Sequence, residues 1–226
     1  KLLDLEELAN IPKKVIDGYN FCGSWKKAQQ SPQETNAYLE RSKRFDQEII
    51  HLLDSYQQEP GKKIDLIVLG GYMRLIREPL LEAYPDKIIN VHPADLEILN
   101  KDNNRKYIGD NAVYDAIKLR EKSICSSVIL VDGKTDHGEI LVRGPYLNLE
   151  ITSENITSSS EDNLRAYANA LQEQLKIKSD WPAITLALKM IAEGRFALSE
   201  KKDHFNQWRT VYLDNKDLPY GGYKIT

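Results

Sequence analysis

The sequence predicts an α/β fold, a mostly parallel twisted sheet flanked by helices, and three observations carry that reading. Residues 64–69 form a short, nearly continuous apolar run that stops at Gly70-Gly71, the pattern of a parallel strand covered on both faces. Two more short apolar runs, at 88–91 and 127–131, follow it along the chain. Helical patterns separate the runs, and strand–helix alternation of this kind builds a layered sheet with right-handed crossovers.

Taken in order, residues 1–30 offer short helical fragments, such as 2–8, and an aromatic cluster of Tyr19, Phe21 and Trp25. They offer neither an apolar strand nor a glycine-rich phosphate loop. Residues 38–56 read as an amphipathic helix, because Phe45, Ile49, Leu52, Leu53 and Tyr56 recur at helical spacing among charged residues. Pro60-Gly61 ends it. The first strand follows at 64–69, a short helix at 78–84, a strand at 88–91, a helix at 111–122 and a third strand at 127–131. Residues 139–143 are expected to pair with 146–151 at the outer side of the sheet. The stretch 152–162, rich in Ser, Thr and Asn, reads as a mobile connection. Helices are expected at 163–178 and 181–193, the second stopping at Gly194. From 196 onward the pattern is a small region of short strands and turns, with a clear turn at Pro219-Tyr220-Gly221-Gly222.

The chain has 226 residues, 41% hydrophobic and 29% charged, with a net charge of -3. That supports a real core in one domain, or in one domain with an appendage, and it excludes a basic footprint for nucleic acid. The two cysteines, Cys22 and Cys125, form no metal-ligand spacing, and Cys125 lies in an apolar run where a thiol packs as a small hydrophobe. No stretch reaches the length of a membrane span and no signal peptide opens the chain, so a cytoplasmic protein is expected.

Chemistry concentrates in Asn90-Val91-His92-Pro93 and, well downstream, Asp136-His137-Gly138. Side chains alternate along a strand, so Asn90 and His92 project to one face and the strand ends at Pro93. An amide donor, an imidazole and a carboxylate suit the movement of a one-carbon acyl unit between nitrogens. Taken singly, Asn90 could cap a turn and Asp136 could be an ordinary turn carboxylate. His51 and His204, set among charged residues, read as surface side chains.

These residues resemble a known family. Asp65-Leu66-Ile67-Val68-Leu69-Gly70-Gly71-Tyr72-Met73-Arg74-Leu75-Ile76, Asn90-Val91-His92-Pro93, and the stretch 131–138 are similar to the formyltransferase domain of phosphoribosylglycinamide formyltransferase. Phe45-Asp46-Gln47-Glu48-Ile49-Ile50, Ala192-Glu193-Gly194-Arg195-Phe196 and Leu218-Pro219-Tyr220-Gly221-Gly222-Tyr223 extend the likeness. The resemblance covers about residues 42–226, and leaves 1–41 as a segment of unclear fold. It implies a Rossmann-like sheet and formyl transfer from N10-formyltetrahydrofolate to the amine of glycinamide ribonucleotide, a step of purine biosynthesis, with no metal. It also implies roles: Asn90, His92 and Asp136 catalytic; Met73, Arg74, Leu75, Ile76, Val131, Asp132 and Gly133 around the folate; Val91 and Asp180 toward the substrate. A sugar-amine formyltransferase, a formyltetrahydrofolate hydrolase and a non-catalytic folate-binding relative are the alternatives.

Departures accompany the likeness. The family's first strand and phosphate-cradling loop have no counterpart in residues 1–41, so the N-terminal strands read as missing or diverged. Such a sheet needs a further N-terminal portion or a second copy at its edge. Ala94-Asp95-Leu96-Glu97 adds negative charge beside the expected position of an anionic substrate, and residues 100–106 form a polar insertion. His137 stands where the family has a small residue, and a solvated side chain is the favoured reading over a second functional imidazole.

Overall fold

A computed structural model describes residues 10–149 and 160–226. The helical fragment expected at 2–8, and almost all of the connection expected at 152–162, lie outside the described residues. Two compact units are present. One comprises residues 1–64 with 77–83, and the other residues 65–76 with 84–226.

The first unit is helical among its described residues. Short helices α1 (Gly18–Cys22) and α2 (Trp25–Ala28) precede α3 (Pro32–Gln57). α3 starts six residues before the position its apolar spacing predicts. Ser31 accepts a hydrogen bond from the Glu34 amide and Pro32 occupies the first turn, so capping extends the helix through polar residues that periodicity ignores. The boundary expected between residues 41 and 42 therefore falls inside one continuous helix. Phe21 and Trp25 from the short helices meet Phe45 and Tyr38 of α3, at ring separations of 5.5 and 5.1 Å. α4 (Glu78–Ala83) belongs to the same unit.

The second unit is built on a five-stranded mixed sheet. β1 (Ile67–Leu69) pairs in parallel with β2 (Ile88–His92), matching Leu69 to Asn90. β4 (Ser127–Leu130) then runs antiparallel to both β2 and β5 (Ile140–Arg143), and β10 (Tyr223–Lys224) closes the far edge in parallel with β5. The α/β class stands, with the central pairings reversed from a purely parallel order. Apolar runs of four or five residues report burial and carry no sign of strand direction.

Three local expectations are corrected. β1 is shorter than 64–69 and Val68 is 43% exposed, so this strand is not covered on both faces; it lies at the end of the strand order. Residues 139–143 do not pair with 146–151: β6 (Leu147–Asn148) pairs instead with β3 (Ser123–Ile124), and residues 150–151 lie outside the described set. α5 (Ala112–Lys118) ends four residues early, where Arg120 takes a positive φ.

α6 (Glu161–Leu175) leads through a π-helical turn (Lys176–Asp180) into α7 (Trp181–Ala192). α7 lays Ala183, Ala187 and Met190 against Ile89, Val128 and Val142 of the sheet, while α5 and α6 share a second core around Ile117, Leu171 and Leu175. A small antiparallel sheet of β7 (Phe196–Leu198), β8 (Val211–Leu213) and β9 (Lys216–Asp217) follows. The turn at 219–222 forms as expected, with the Gly222 amide donating to the Pro219 carbonyl at 2.8 Å. Both cysteines are buried, and burial pushes the Cys125 thiol up to about 12. No helix among the described residues is long and apolar enough to cross a membrane.

Candidate active site

β2 delivers the first two groups. Side chains alternate along it, so that Ile89 and Val91 pack with the core that α7 covers, leaving Asn90 and His92 on the opposite face. Val91, read as a substrate contact, is half-buried and packs its side chain against that core. Pro93 ends the strand, and Ser127, opposite His92 in the register, fixes the turn that follows. Its hydroxyl donates to the Ala94 carbonyl at 2.8 Å and accepts from the Leu96 amide at 3.1 Å.

His92 is 5% exposed. Its Nε2 lies 3.0 Å from the Tyr107 carbonyl, which can only accept, so that nitrogen carries a proton. Nδ1 faces Asp136 Oδ1 at 3.3 Å. The other carboxylate oxygen of Asp136 accepts from the Gly109 amide at 2.8 Å. Burial lowers the His92 pKa below its ordinary value, and Arg105 adds to that; Asp136, the Tyr107 carbonyl and Asp180 oppose it. The buried imidazole is therefore held neutral beside a carboxylate that can share an incoming proton.

The loop from 131 to 138 that carries Asp136 is tightly constrained. Asp136 adopts φ +45°, a region that non-glycine residues enter only when their surroundings enforce it. A Cβ at Gly138 would sit 1.8 Å from the Leu130 carbonyl oxygen, so this turn accepts only glycine there. Arg105 donates to the carbonyls of Asp136 and Gly138 at 2.5 and 2.8 Å. His137 is not solvated: its Nδ1 meets Asp132 at 2.5 Å and its ring stacks on Trp208 at 4.9 Å. Burial works to raise the Asp132 carboxyl, but the His137 hydrogen bond outweighs it and holds the group below its ordinary value. His204 is likewise half-buried, edge-on to Tyr220 at 6.0 Å.

Asp180 ends the π-helical turn. Burial raises its pKa, while a hydrogen bond from the Ser126 hydroxyl and the nearby His92 pull it down. Asn90 is half-buried, and its carboxamide has no hydrogen-bond partner among the described residues. A half-buried amide with unspent donors on the face of His92 is equipped to meet a developing oxyanion.

The residues read as a folate wall separate into kinds. Met73 is 74% exposed, an apolar side chain offered to solvent directly after β1, whereas Ile76 is buried in the core. Arg74 and Leu75 are half-buried. Across the site Val131 and Gly133 are half-buried, and the Asp132 carboxylate is already occupied by His137. Exposed Met73 and half-buried Leu75, Val131 and Gly133 are the kind of apolar side chain and open backbone against which a flat, partly apolar ring packs. Among the described residues no group of three or more His, Cys, Asp or Glu side chains is arranged to hold a metal ion.

Sequence reasoning missed the groups that organise the pair: the Tyr107 carbonyl, the Gly109 amide and the Arg105 guanidinium. Two are backbone groups, which no residue type announces, and the third lies in the stretch read as a polar insertion.

Comparison with known proteins is consistent across sequence and structure. A family model described as formyl transferase matches residues 2–171. The chain is 26% identical to phosphoribosylglycinamide formyltransferase of Haemophilus influenzae, covering 98% of this chain and 91% of that protein. It is 24% identical to the Escherichia coli enzyme of the same name, over 79% of this chain and 67% of that protein. Among solved structures it is similar in fold to phosphoribosylglycinamide formyltransferase from Coxiella burnetii, with TM-score 0.54 and 24% identity, covering 82% of this chain and 70% of the other.

Proposed function

The chain belongs to the formyl transferase family, and from that premise we propose that it moves a formyl group from N10-formyltetrahydrofolate to the amine of glycinamide ribonucleotide, a step of purine biosynthesis. The observation that carries this is the buried His92–Asp136 pair, 3.3 Å apart, beside the unspent amide of Asn90. We place Asn90, His92 and Asp136 as the catalytic set. The working compartment is the cytoplasm, where two buried free thiols persist without a disulfide.

The folate donor supplies an activated formyl carbon. Attack on that carbon by an amine puts negative charge on the formyl oxygen and positive charge on the attacking nitrogen. Asn90 presents N–H donors to the oxygen, where a preorganised dipole acts most strongly. The attacking nitrogen must lose a proton, and the His92–Asp136 pair accepts it. With Nε2–H held by Tyr107, the lone pair of Nδ1 and the Asp136 carboxylate face one another and can share that proton. The same proton is returned to the departing nitrogen when the carbon–nitrogen bond breaks. Burial keeps His92 neutral, so the pair starts in its accepting state. Met73, Leu75, Val131 and Gly133 would hold the donor's ring, and Asp180, bonded to Ser126, faces the acceptor side.

His92→Ala tests this. Glycinamide-ribonucleotide-dependent release of tetrahydrofolate should fall by about two to four orders of magnitude, the range general acid–base groups supply. A variant that retains the wild-type rate removes His92 from the mechanism.

A further inference from the structure

We propose that Arg105 is a positioning residue that sets the geometry and charge state of the His92–Asp136 pair; this rests on the reading of that pair as the transfer site. The guanidinium is 6% exposed and makes no ion pair among the described residues. Every hydrogen bond it makes goes to a neutral oxygen: the Tyr220 hydroxyl at 3.0 Å and the carbonyls of Asp136 and Gly138. The rings of Trp208 and Tyr220 lie beside it, 5.0 and 5.7 Å from their centroids. A buried cation without a bonded carboxylate is costly, and stability alone does not call for one here. Of the two carboxylates whose charge acts on it, Asp132 is engaged by His137, and Asp136 by the Gly109 amide and His92.

What the guanidinium does hold is the loop. Its two terminal nitrogens span carbonyls two residues apart, bracketing Asp136 at the strained φ of +45°. That bracket aims one carboxylate oxygen at the Gly109 amide and the other at His92. Planar, two-pronged donation of this kind is specific to arginine.

The charge acts on the same pair. The groups facing His92 are Asp136 from the loop after β4, Asp180 from the π-helical turn, the Tyr107 carbonyl from the segment before α5, and Arg105 itself. The first three favour the protonated imidazole, and Arg105 alone among them opposes it. Arg105 thus adds to burial, the larger influence, in keeping His92 neutral in a setting otherwise crowded with negative partners.

The test uses the full chain as wild type, Arg105→Met and Arg105→Lys, read by steady-state kinetics and by NMR titration of the His92 ring. Methionine preserves packing against Trp208 and Tyr220 while removing charge and bracket. Its kcat should fall about tenfold to a hundredfold, the scale of a small misplacement of a reacting group, with KM for both substrates within about threefold. The His92 midpoint should move to higher pH. Lysine should return the midpoint toward wild type and leave kcat low, because one ammonium cannot bracket two carbonyls. A folded Arg105→Met protein with wild-type kcat, or with an unmoved His92 midpoint, overturns the proposal. If Arg105→Met fails to fold, the lysine variant carries the test: unchanged kcat overturns it. An inactive wild type would refute the transfer reading alone, and the NMR midpoint would still decide the role of Arg105.

Discussion

Replacing Asp136 by asparagine removes one charge and almost no volume. Asparagine tolerates the positive φ of this position better than most residues, and its carbonyl oxygen can still accept from the Gly109 amide, so the loop keeps its anchor. What disappears is the carboxylate 3.3 Å from Nδ1 of His92. At an effective dielectric of about 20, opposite charges at that separation attract by about 5 kcal/mol. This is a ceiling on what Asp136 contributes to holding a proton on the pair. General acid–base groups account for about two to four orders of magnitude in rate, roughly 3–5 kcal/mol. The two scales meet, so the ion-pair term is large enough to supply the whole acid–base contribution. We expect kcat to drop by about two to three orders of magnitude, measured as tetrahydrofolate release at saturating substrates. The His92 midpoint should move to lower pH, because the carboxylate that favoured its charged form is gone. A variant within about threefold of the wild-type kcat would refute the reasoning, since the pair would then be a structural ion pair.

Two further outcomes test the scaffold. A Cβ at Gly144 would stand 2.3 Å from the Ser179 hydroxyl and 2.5 Å from the Ser179 backbone oxygen; Gly144→Ala should therefore displace the π-helical turn that carries Asp180, lowering stability by about 1–3 kcal/mol in urea denaturation, and an unchanged midpoint would sink the argument. Asp46 is buried and its carboxyl is raised from 3.8 to about 6, chiefly by desolvation; its folded state prefers the proton, so its stabilising contribution is complete below about pH 4 and is lost as pH rises through 6. Asp46→Asn, which can still accept from the Arg77 amide, should gain on the order of 1–3 kcal/mol at pH 7 and nothing near pH 4, and equal gains at both would refute the burial account.

The sequence made the strands that carry the site legible because each is a compact apolar run bounded by turn residues. The Asn90/His92 pairing was legible for the same reason, since a strand that stops at proline leaves alternate residues on one face. Strand direction was not legible, and neither were β3 and β6, each two residues long and too short to show a period. The early start of α3 was written in Ser31-Pro32-Gln33-Glu34, a start signal of capping rather than of apolar spacing. Within the site, motif residues declared themselves by type. The groups that orient them did not, because the Tyr107 carbonyl and the Gly109 amide exist at every position of every chain. His137 and His204 misled for a related reason. Charged or turn-like neighbours suggest solvent, but a histidine beside tryptophan and tyrosine in space is decided by the tertiary fold.

The acidic residues after His92 show how far a charge count falls short of electrostatics. Asp95 and Glu97 look in sequence like two negative charges set beside an anionic substrate. Asp95 is 5% exposed and shares Arg143 with Glu97, and the Tyr146 hydroxyl also donates to it. Arg143 is fixed further by the Gly221 carbonyl at 2.8 Å. One cation thus offsets much of the field of both carboxylates, and the network ties the turn after β2 to β5 and to the turn before β10. The extra charge is spent on holding in place the turn that follows His92. That leaves Asp136 and Asp180 as the carboxylates acting on the imidazole and Arg105 as their counterweight. The protonation state of His92 follows from that local balance and from burial, and the net charge of the chain has no part in it.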